Sequence, residues 1–220
     1  MQKSTEQAAD WQGIWARRNI IDSVIDVGRS TYNFFLRRIL RRYIDKNSTI
    51  LELGCGRASL TISLCPEIKE LAGIDISDVA VAQATQYAQD HGFYNARFAV
   101  DDVTKLRVTE KFDLVWSQGL IEHFQDPTAV ARAHYDALAP GGTVLISVPY
   151  TYSYHAVWYY GTRPKVTRRF WPWVGVEQRF FNHKQLLEVG KAITPHSKVF
   201  LLQPFPLGLI FLEMQKPLEK

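Results

Sequence analysis

Residues 50–58, Ile-Leu-Glu-Leu-Gly-Cys-Gly-Arg-Ala, narrow what this chain can fold into more than any other stretch. Thr49 to Leu53 reads as a buried strand that runs directly into a glycine turn. Gly54 and Gly56 can take backbone angles closed to other residues, and neither has a side chain to hold a ligand off the main chain. A helix expected from about Ser59 would aim its free N–H groups back at the turn. Strand, glycine turn and helix start in succession describe a site for a nucleotide-type ligand.

The residues that follow exclude two such sites. A dinucleotide turn, G-x-G-x-x-G, needs glycine or alanine where this chain has Ser59. A phosphate-binding loop needs Gly-Lys-Ser/Thr, and here the turn continues Arg57-Ala58-Ser59. Glu52, two residues before the first glycine, would repel a pyrophosphate and suits a ligand with an amino group.

From 49 to 148 strand and helix patterns alternate, which predicts a parallel sheet with helices on both faces. Strands are expected at 49–53, 71–75, 96–100, 112–116 and 142–148, with helices near 58–64, 78–91 and 126–138. Ser77 or Asp78 can cap the second helix, and Asp126-Pro127 opens the third. Pro140-Gly141-Gly142 is expected to end that helix and turn the chain into the next strand. A helix at 183–192 and a closing hairpin, 197–203 and 208–214 joined by Pro204-Phe205-Pro206, complete seven strands. At 220 residues and 46% hydrophobic content the chain suffices for one α/β domain. Within it we read a helical cap (1–46), a core (47–149), an insertion (150–182) and a terminal helix and hairpin (183–220).

Two segments carry charge patterns. Along 30–44, Tyr32, Phe35, Leu36, Ile39, Leu40, Tyr43 and Ile44 keep helical spacing, while Arg37, Arg38, Arg41 and Arg42 take the other face. That face is either solvated or set against an anionic membrane surface or an acidic substrate. The segment 150–181 holds eleven aromatic residues, and Arg163, Lys165, Arg168, Arg169 and Arg179 against one acid, Glu177. A net charge of +4 does not by itself call for nucleic acid. Cys55 and Cys65 suggest free thiols in a reducing compartment. The polar N-terminus and the lack of a long apolar run lead us to expect a cytoplasmic protein, with peripheral membrane contact open.

Ligands of open α/β sheets bind beyond the carboxyl ends of the strands. Glu52 and the glycine turn follow the first strand, and Asp75 ends the second, where a carboxylate can accept both hydroxyls of a ribose. Asp101-Asp102-Val103 follow the third, Ser117-Gln118-Gly119 and Glu122-His123 the fourth, and Pro149-Tyr150 the fifth.

These motifs, in this order, resemble the class I S-adenosylmethionine-dependent methyltransferases, and among them the small-molecule enzymes similar to those of quinone biosynthesis. Leu51–Ala58 is similar to the family's glycine motif and Gly73-Ile74-Asp75-Ile76-Ser77 to its ribose-binding motif. Asp102–Leu106 is similar to its adenine loop, Phe112–Val115 through Glu122-His123-Phe124 to its fourth motif, and Leu138–Gly142 to the bend before its fifth strand. The chain departs in having Ala58 where a third glycine is common. The resemblance implies a Rossmann-like methyltransferase fold: a seven-stranded, mostly parallel sheet with an antiparallel last strand, helices on both faces and an aromatic lid after strand 5. It implies S-adenosylmethionine as cofactor and S-adenosylhomocysteine as product. It implies that backbone groups of Gly54, Cys55 and Gly56 line the methionine part, that Glu52 holds the amino end and that Asp75 accepts the ribose hydroxyls. Ile76 would pack on adenine, and Asp102 (or Asp101) and the Val103 N–H would reach its edge. Ser117, Gln118 and Gly119 would lie under the sulfonium.

Methyl transfer is an in-line displacement, so alignment of donor and acceptor matters most, and a base is needed only where the acceptor loses a proton. His123 is the candidate base, or else it orients the substrate. The Glu-His pair resembles relatives that methylate hydroxyls, which favours oxygen as the target. Glu122 and His123 alone make no metal site. Tyr150, Tyr154, His155, Trp158 and Arg168 of the insertion are candidate acceptor contacts. Aromatic faces exclude water and tolerate a cation. Their clustering favours a small amphipathic or aromatic acceptor over protein or nucleic acid. The alternatives are a methyltransferase acting on protein or RNA and a non-catalytic binding subunit on the same fold.

Overall fold

The structure, a computed structural model, describes residues 12, 33–106, 109–161, 178–202 and 208–218. Its strands are β1 (Thr49–Leu53), β2 (Glu70–Asp75), β3 (Ala96–Val100), β4 (Phe112–Gln118), β5 (Leu138–Pro149), β6 (Ser197–Leu201) and β7 (Leu209–Gln215). They form one seven-stranded sheet in the order β3-β2-β1-β4-β5-β7-β6. Chain contacts fall into two units, 1–114 and 115–220.

In the first unit β1, β2 and β3 pair in parallel, Leu51 opposite Ala72 and Gly73 opposite Phe98. Ile50, Leu51, Leu53 and Leu71 are fully buried, as apolar runs of a parallel sheet covered on both faces should be. Each such side chain contributes about 1.5–3 kcal/mol. Gly73 is there because nothing larger fits. A Cβ on it would run into the Phe98 ring and come within 3.1 Å of Cys55 Sγ. Helix α1 covers 33–40, buries Leu36, Ile39 and Leu40, and stops short of the predicted 44. The chain turns at Arg41 and Arg42, and Arg41 forms a two-pronged pair with Glu67 at 2.7 and 2.5 Å. Helix α2 (Ser59–Ile62) is a single turn. Helix α3 (Asp78–Asp90) is capped by Ser77, whose hydroxyl accepts from the Ala80 N–H.

In the second unit helix α4 (Pro127–Asp136) is capped by Asp126, as its sequence requires, and ends before the predicted 138. Pro140-Gly141-Gly142 is not a turn between helix and strand but part of β5. The Gly141 N–H donates to Lys216 O and the Lys216 N–H to Gly142 O, so the glycines continue the ladder next to β7. Gly141 has φ +81°, with Leu218 against the place a Cβ would take. Strand β7 is antiparallel to both β5 and β6, with Ile146 opposite Leu212 and Phe200 opposite Phe211. It therefore lies between them, and the hairpin inserts its second strand. Helix α5 (Tyr154–Gly161) follows β5, and helix α6 (His183–Lys191) begins with a reciprocal cap between Asn182 and Gln185. The returning segment 178–181 is stitched down. Phe181 N–H donates to Pro149 O, and Arg179 N–H donates to Glu122 O. Residues 1–11 and 13–32 of the predicted helical cap, the Pro204-Phe205-Pro206 link and Arg168 lie outside the described residues.

Candidate functional site

The glycine turn is built as a left-handed excursion. Gly54 and Gly56 have φ of 66° and 52°, and Ala58 joins them at 49°. For Ala58 this region costs roughly 1 kcal/mol, which explains why glycine would be at home there. The turn's N–H groups are used inside the unit. Cys55 N–H donates to Ile74 O at 2.9 Å, and Gly56 N–H to Asp75 Oδ2 at 2.8 Å. Both donors are thus committed within the unit. What the turn offers at Gly54 and Gly56 is a backbone bare of side chains.

Asp75 ends β2 at 8% exposure. Its Oδ2 accepts from Gly56 and its Oδ1 from the Ser77 N–H at 2.9 Å. Burial pushes its carboxyl up, and the N–H groups of Ser77, Gly56 and Ile76 pull it back. Glu52 is buried, and the Thr61 hydroxyl from α2 donates to its Oε2. Burial, then the charges of Glu52 and Asp75, push the Cys55 thiol well up, so it stays protonated. Both cysteines are free. Ile76 is half-buried. Asp102 directs Oδ1 to its own turn, accepting from the N–H and hydroxyl of Thr104 at 2.9 and 2.7 Å. Asp101 Oδ1 accepts from the Asp102 N–H, and Val103 is buried at the start of a 3-10 turn. Glu52, Gly54, Asp75 and Ile76 thus stand together at the carboxyl ends of β1 and β2, with Asp102 and Val103 after β3.

In the second unit Ser117 and Gln118 belong to β4, which runs two residues beyond the predicted 116. Ser117 is fully buried, and its hydroxyl lies 2.8 Å from His134 Nε2. His134 Nδ1 is 2.8 Å from Val130 O and must be the donor there, so Nε2 accepts from Ser117. Burial pushes His134 down to about 4 and keeps it neutral. The Ser117 side chain is therefore committed to α4, whereas Gln118 is exposed. Sequence reading missed His134, although its spacing with Val130 and Ala131 marks the buried face of α4. His123 ends a 3-10 turn, Ile121–His123, with Nε2 4.0 Å from Glu122 Oε1. Arg179, one of the basic residues of the insertion, directs Nη2 to Gln125 O at 2.7 Å. No signal in the sequence foretold that.

Tyr150 packs edge-on against Tyr152 and bridges to Phe181. Tyr159 and Tyr160 of α5 meet Phe180 at 5.3 and 5.5 Å. Tyr154, His155 and Trp158 fall on α5, with side chains outside the described part. Among the described residues no three His, Cys, Asp or Glu side chains gather to hold a metal ion.

This sheet order, with its reversed seventh strand, defines a Rossmann-like methyltransferase fold. The magnesium protoporphyrin IX methyltransferase of Synechocystis PCC 6803, solved with S-adenosylhomocysteine bound, superposes with a TM-score of 0.69. The two are 17% identical, over 94% of this chain and 93% of that one. An S-adenosylmethionine-dependent methyltransferase from Clostridium acetobutylicum gives 0.63 at 14% identity, over 86% and 92%. The chain belongs to the methyltransferase domain family, whose model matches residues 44–168. Among curated relatives, a ubiquinone biosynthesis O-methyltransferase of Psychrobacter cryohalolentis is 24% identical over 161 residues, 67% of this chain and 62% of that protein. The one of Pseudomonas syringae pv. syringae is 30% identical over 100 residues, 44% of this chain and 43% of that protein. The chain thus spans less than two thirds of the length of these relatives.

Proposed function

We propose that this protein transfers a methyl group from S-adenosylmethionine to a small amphipathic or aromatic acceptor, at oxygen. The observation that carries the reading is Asp75, a nearly buried carboxylate held at the end of β2 by the N–H groups of Gly56 and Ser77. Each N–H takes up one lone pair of its oxygen, and the second lone pairs suit the two hydroxyls of a ribose. The residues present fit the cofactor. Glu52 supplies a carboxylate for the amino end, Gly54 a bare backbone, Ile76 an apolar face for adenine, and Asp102 or Asp101 with Val103 its polar edge. When bound, S-adenosylmethionine supplies a methyl carbon activated by a positive sulfur. The protein's part is to bind, align and keep water away. His123 takes the proton that an acceptor hydroxyl releases.

Two observations support the acceptor class. The relatives reported above are named for ubiquinone biosynthesis, and the insertion presents apolar surface, with Val157 at 73% exposure beside exposed Tyr152 and Tyr160. Tyr150, Tyr154, His155, Trp158 and Arg168 are its proposed contacts. A cytoplasmic protein that touches an anionic membrane is part of the same proposal. Phe34, 64% exposed on α1 beside exposed Arg38 and Arg42, supports it, and binding to anionic vesicles that weakens with salt would test it.

The decisive test is calorimetric titration with S-adenosylhomocysteine. Wild type should bind, and Asp75→Ala should lose roughly 100-fold in affinity, the worth of one to two hydrogen bonds to a charged group. Protein given methyl-labelled donor and lysate of its source organism should put label into the organic extract. Label in protein or nucleic acid would overturn the acceptor class. A wild type that binds no S-adenosylhomocysteine would point to a non-catalytic binding subunit.

A further inference from the structure

Among the described residues of the second unit, Glu122 is a deeply buried acid with one carboxyl oxygen unpaired. It is 3% exposed, and Oε2 has no partner. Its Oε1 lies against Gly119, where a Cβ would come within 3.3 Å, and 4.0 Å from His123 Nε2. Its backbone is pinned from outside, because the Arg179 N–H donates to Glu122 O at 3.0 Å and the Arg179 guanidinium to Gln125 O at 2.7 Å. A buried carboxyl with an empty oxygen is costly to keep unless something uses it.

We infer that Glu122 is a positioning residue for His123: its carboxyl, 4.0 Å from Nε2, orients the imidazole and steadies the charge that the imidazole acquires. The inference rests on the reading of His123 as base. In the step concerned, the acceptor oxygen forms its bond to the methyl carbon as the sulfur–carbon bond breaks. Sulfur keeps the electron pair, and the hydroxyl proton moves to the imidazole. One positive charge leaves sulfur and one appears on His123. Before transfer the Glu122 carboxyl is neutral, since burial pushes it up to about 8. Once the imidazolium forms, it gives Glu122 the counter-charge it lacked. Glu122 can then release its own proton to water and stabilise the ring.

Among the described residues, the other ionisable groups on elements against this turn are otherwise committed. His134 of α4 stays neutral between Val130 O and Ser117. The guanidinium of Arg132 donates to Ala192 O, Asp126 caps α4, and Arg179 holds Gln125 O. Asp136 has a partner of its own, and β5 carries no charged side chain.

The test follows the ring carbon and proton of His123 by NMR across pH, with the resonance assigned by its loss in His123→Gln. The full chain is used without added ligand. In Glu122→Gln the imidazole should give up its proton at a pH lower by half a unit or more. Reciprocally, the Glu122 side-chain carboxyl carbon should titrate later in His123→Gln than in wild type. If Glu122→Gln fails to fold, the second measurement decides alone. Unchanged titration of the surviving partner would overturn the inference and leave the methyl-transfer reading intact. Loss of S-adenosylhomocysteine binding by wild type would do the reverse, since the titration needs neither donor nor acceptor.

Discussion

Glu122 also makes stability depend on pH in a direction opposite to most carboxylates. Its folded-state pKa is raised from 4.5 to about 8 by burial, against a small opposing effect of its own backbone N–H. The fold therefore favours the neutral acid. The contribution is fully present below pH 4.5. It is lost as pH rises to 8, because the unfolded chain ionises first. A shift of about 3.5 pKa units at 1.36 kcal/mol each sets the loss at about 5 kcal/mol, an upper bound before any relaxation around the new charge. Glu122→Gln has the same shape and no charge at any pH. Its melting temperature relative to wild type should climb between pH 5 and pH 8.5. At 2–4 °C per kcal/mol for a chain of this size, the climb should reach roughly 10 °C. Any constant cost of the amide group cancels, because the slope of the difference is what is read. His134 supplies the control. Burial depresses it from 6.5 to about 4, so its contribution is present above pH 6.5 and about 3 kcal/mol is lost as pH falls through 4. That acid-side loss should be the same in both proteins. Melting curves that run parallel from pH 5 to pH 8.5 would refute the reasoning, since Glu122 would then be ionised or solvated in the fold.

Three further outcomes follow from local geometry. Ala58→Gly should raise stability by roughly 1 kcal/mol at constant ionic conditions, because φ of 49° suits glycine; a lower midpoint in urea would argue against strain at that residue. Gly73→Ala should cost about 1–3 kcal/mol, since the added methyl meets the Phe98 ring across the β2–β3 pair, and an unchanged denaturation midpoint would count against that packing. Ser117→Ala should cost about 1–3 kcal/mol by leaving His134 Nε2 without its donor. The same change should move the His134 ring resonances; unmoved resonances would mean that the pair is not formed.

The strands around the glycine turn were legible because a buried parallel strand needs an apolar run, which Ile50-Leu51 and Leu71-Ala72-Gly73-Ile74 supply. Caps were legible from local sequence too: Ser77 and Asp126 stand where their helices begin. The path of Pro140-Gly141-Gly142 was not. Their bonds go to Lys216, more than seventy residues away, and local turn propensity cannot anticipate such a partner. Site residues divide along the same line. Glu52 and Asp75 announce themselves by position at strand ends. The use of the Cys55 and Gly56 N–H groups, the Ser117–His134 bond and the hold of Arg179 on the 122–125 turn depend on which segments the fold brings together.

The double duty of Asp75 reaches beyond affinity. Because Gly56 and Ser77 are both fastened to it, the edge of the sheet is assembled when the chain folds, and the ordering cost of about 1–2 kcal/mol per backbone residue is already met. A ligand arriving there would have little left to freeze, so its association should be quick and its heat capacity change set by the surface it covers. The carboxylate is then a poor handle for redesign. An attempt to retune this edge for a ligand without a ribose would have to keep Asp75, since the turn that receives any ligand hangs from the same two oxygens.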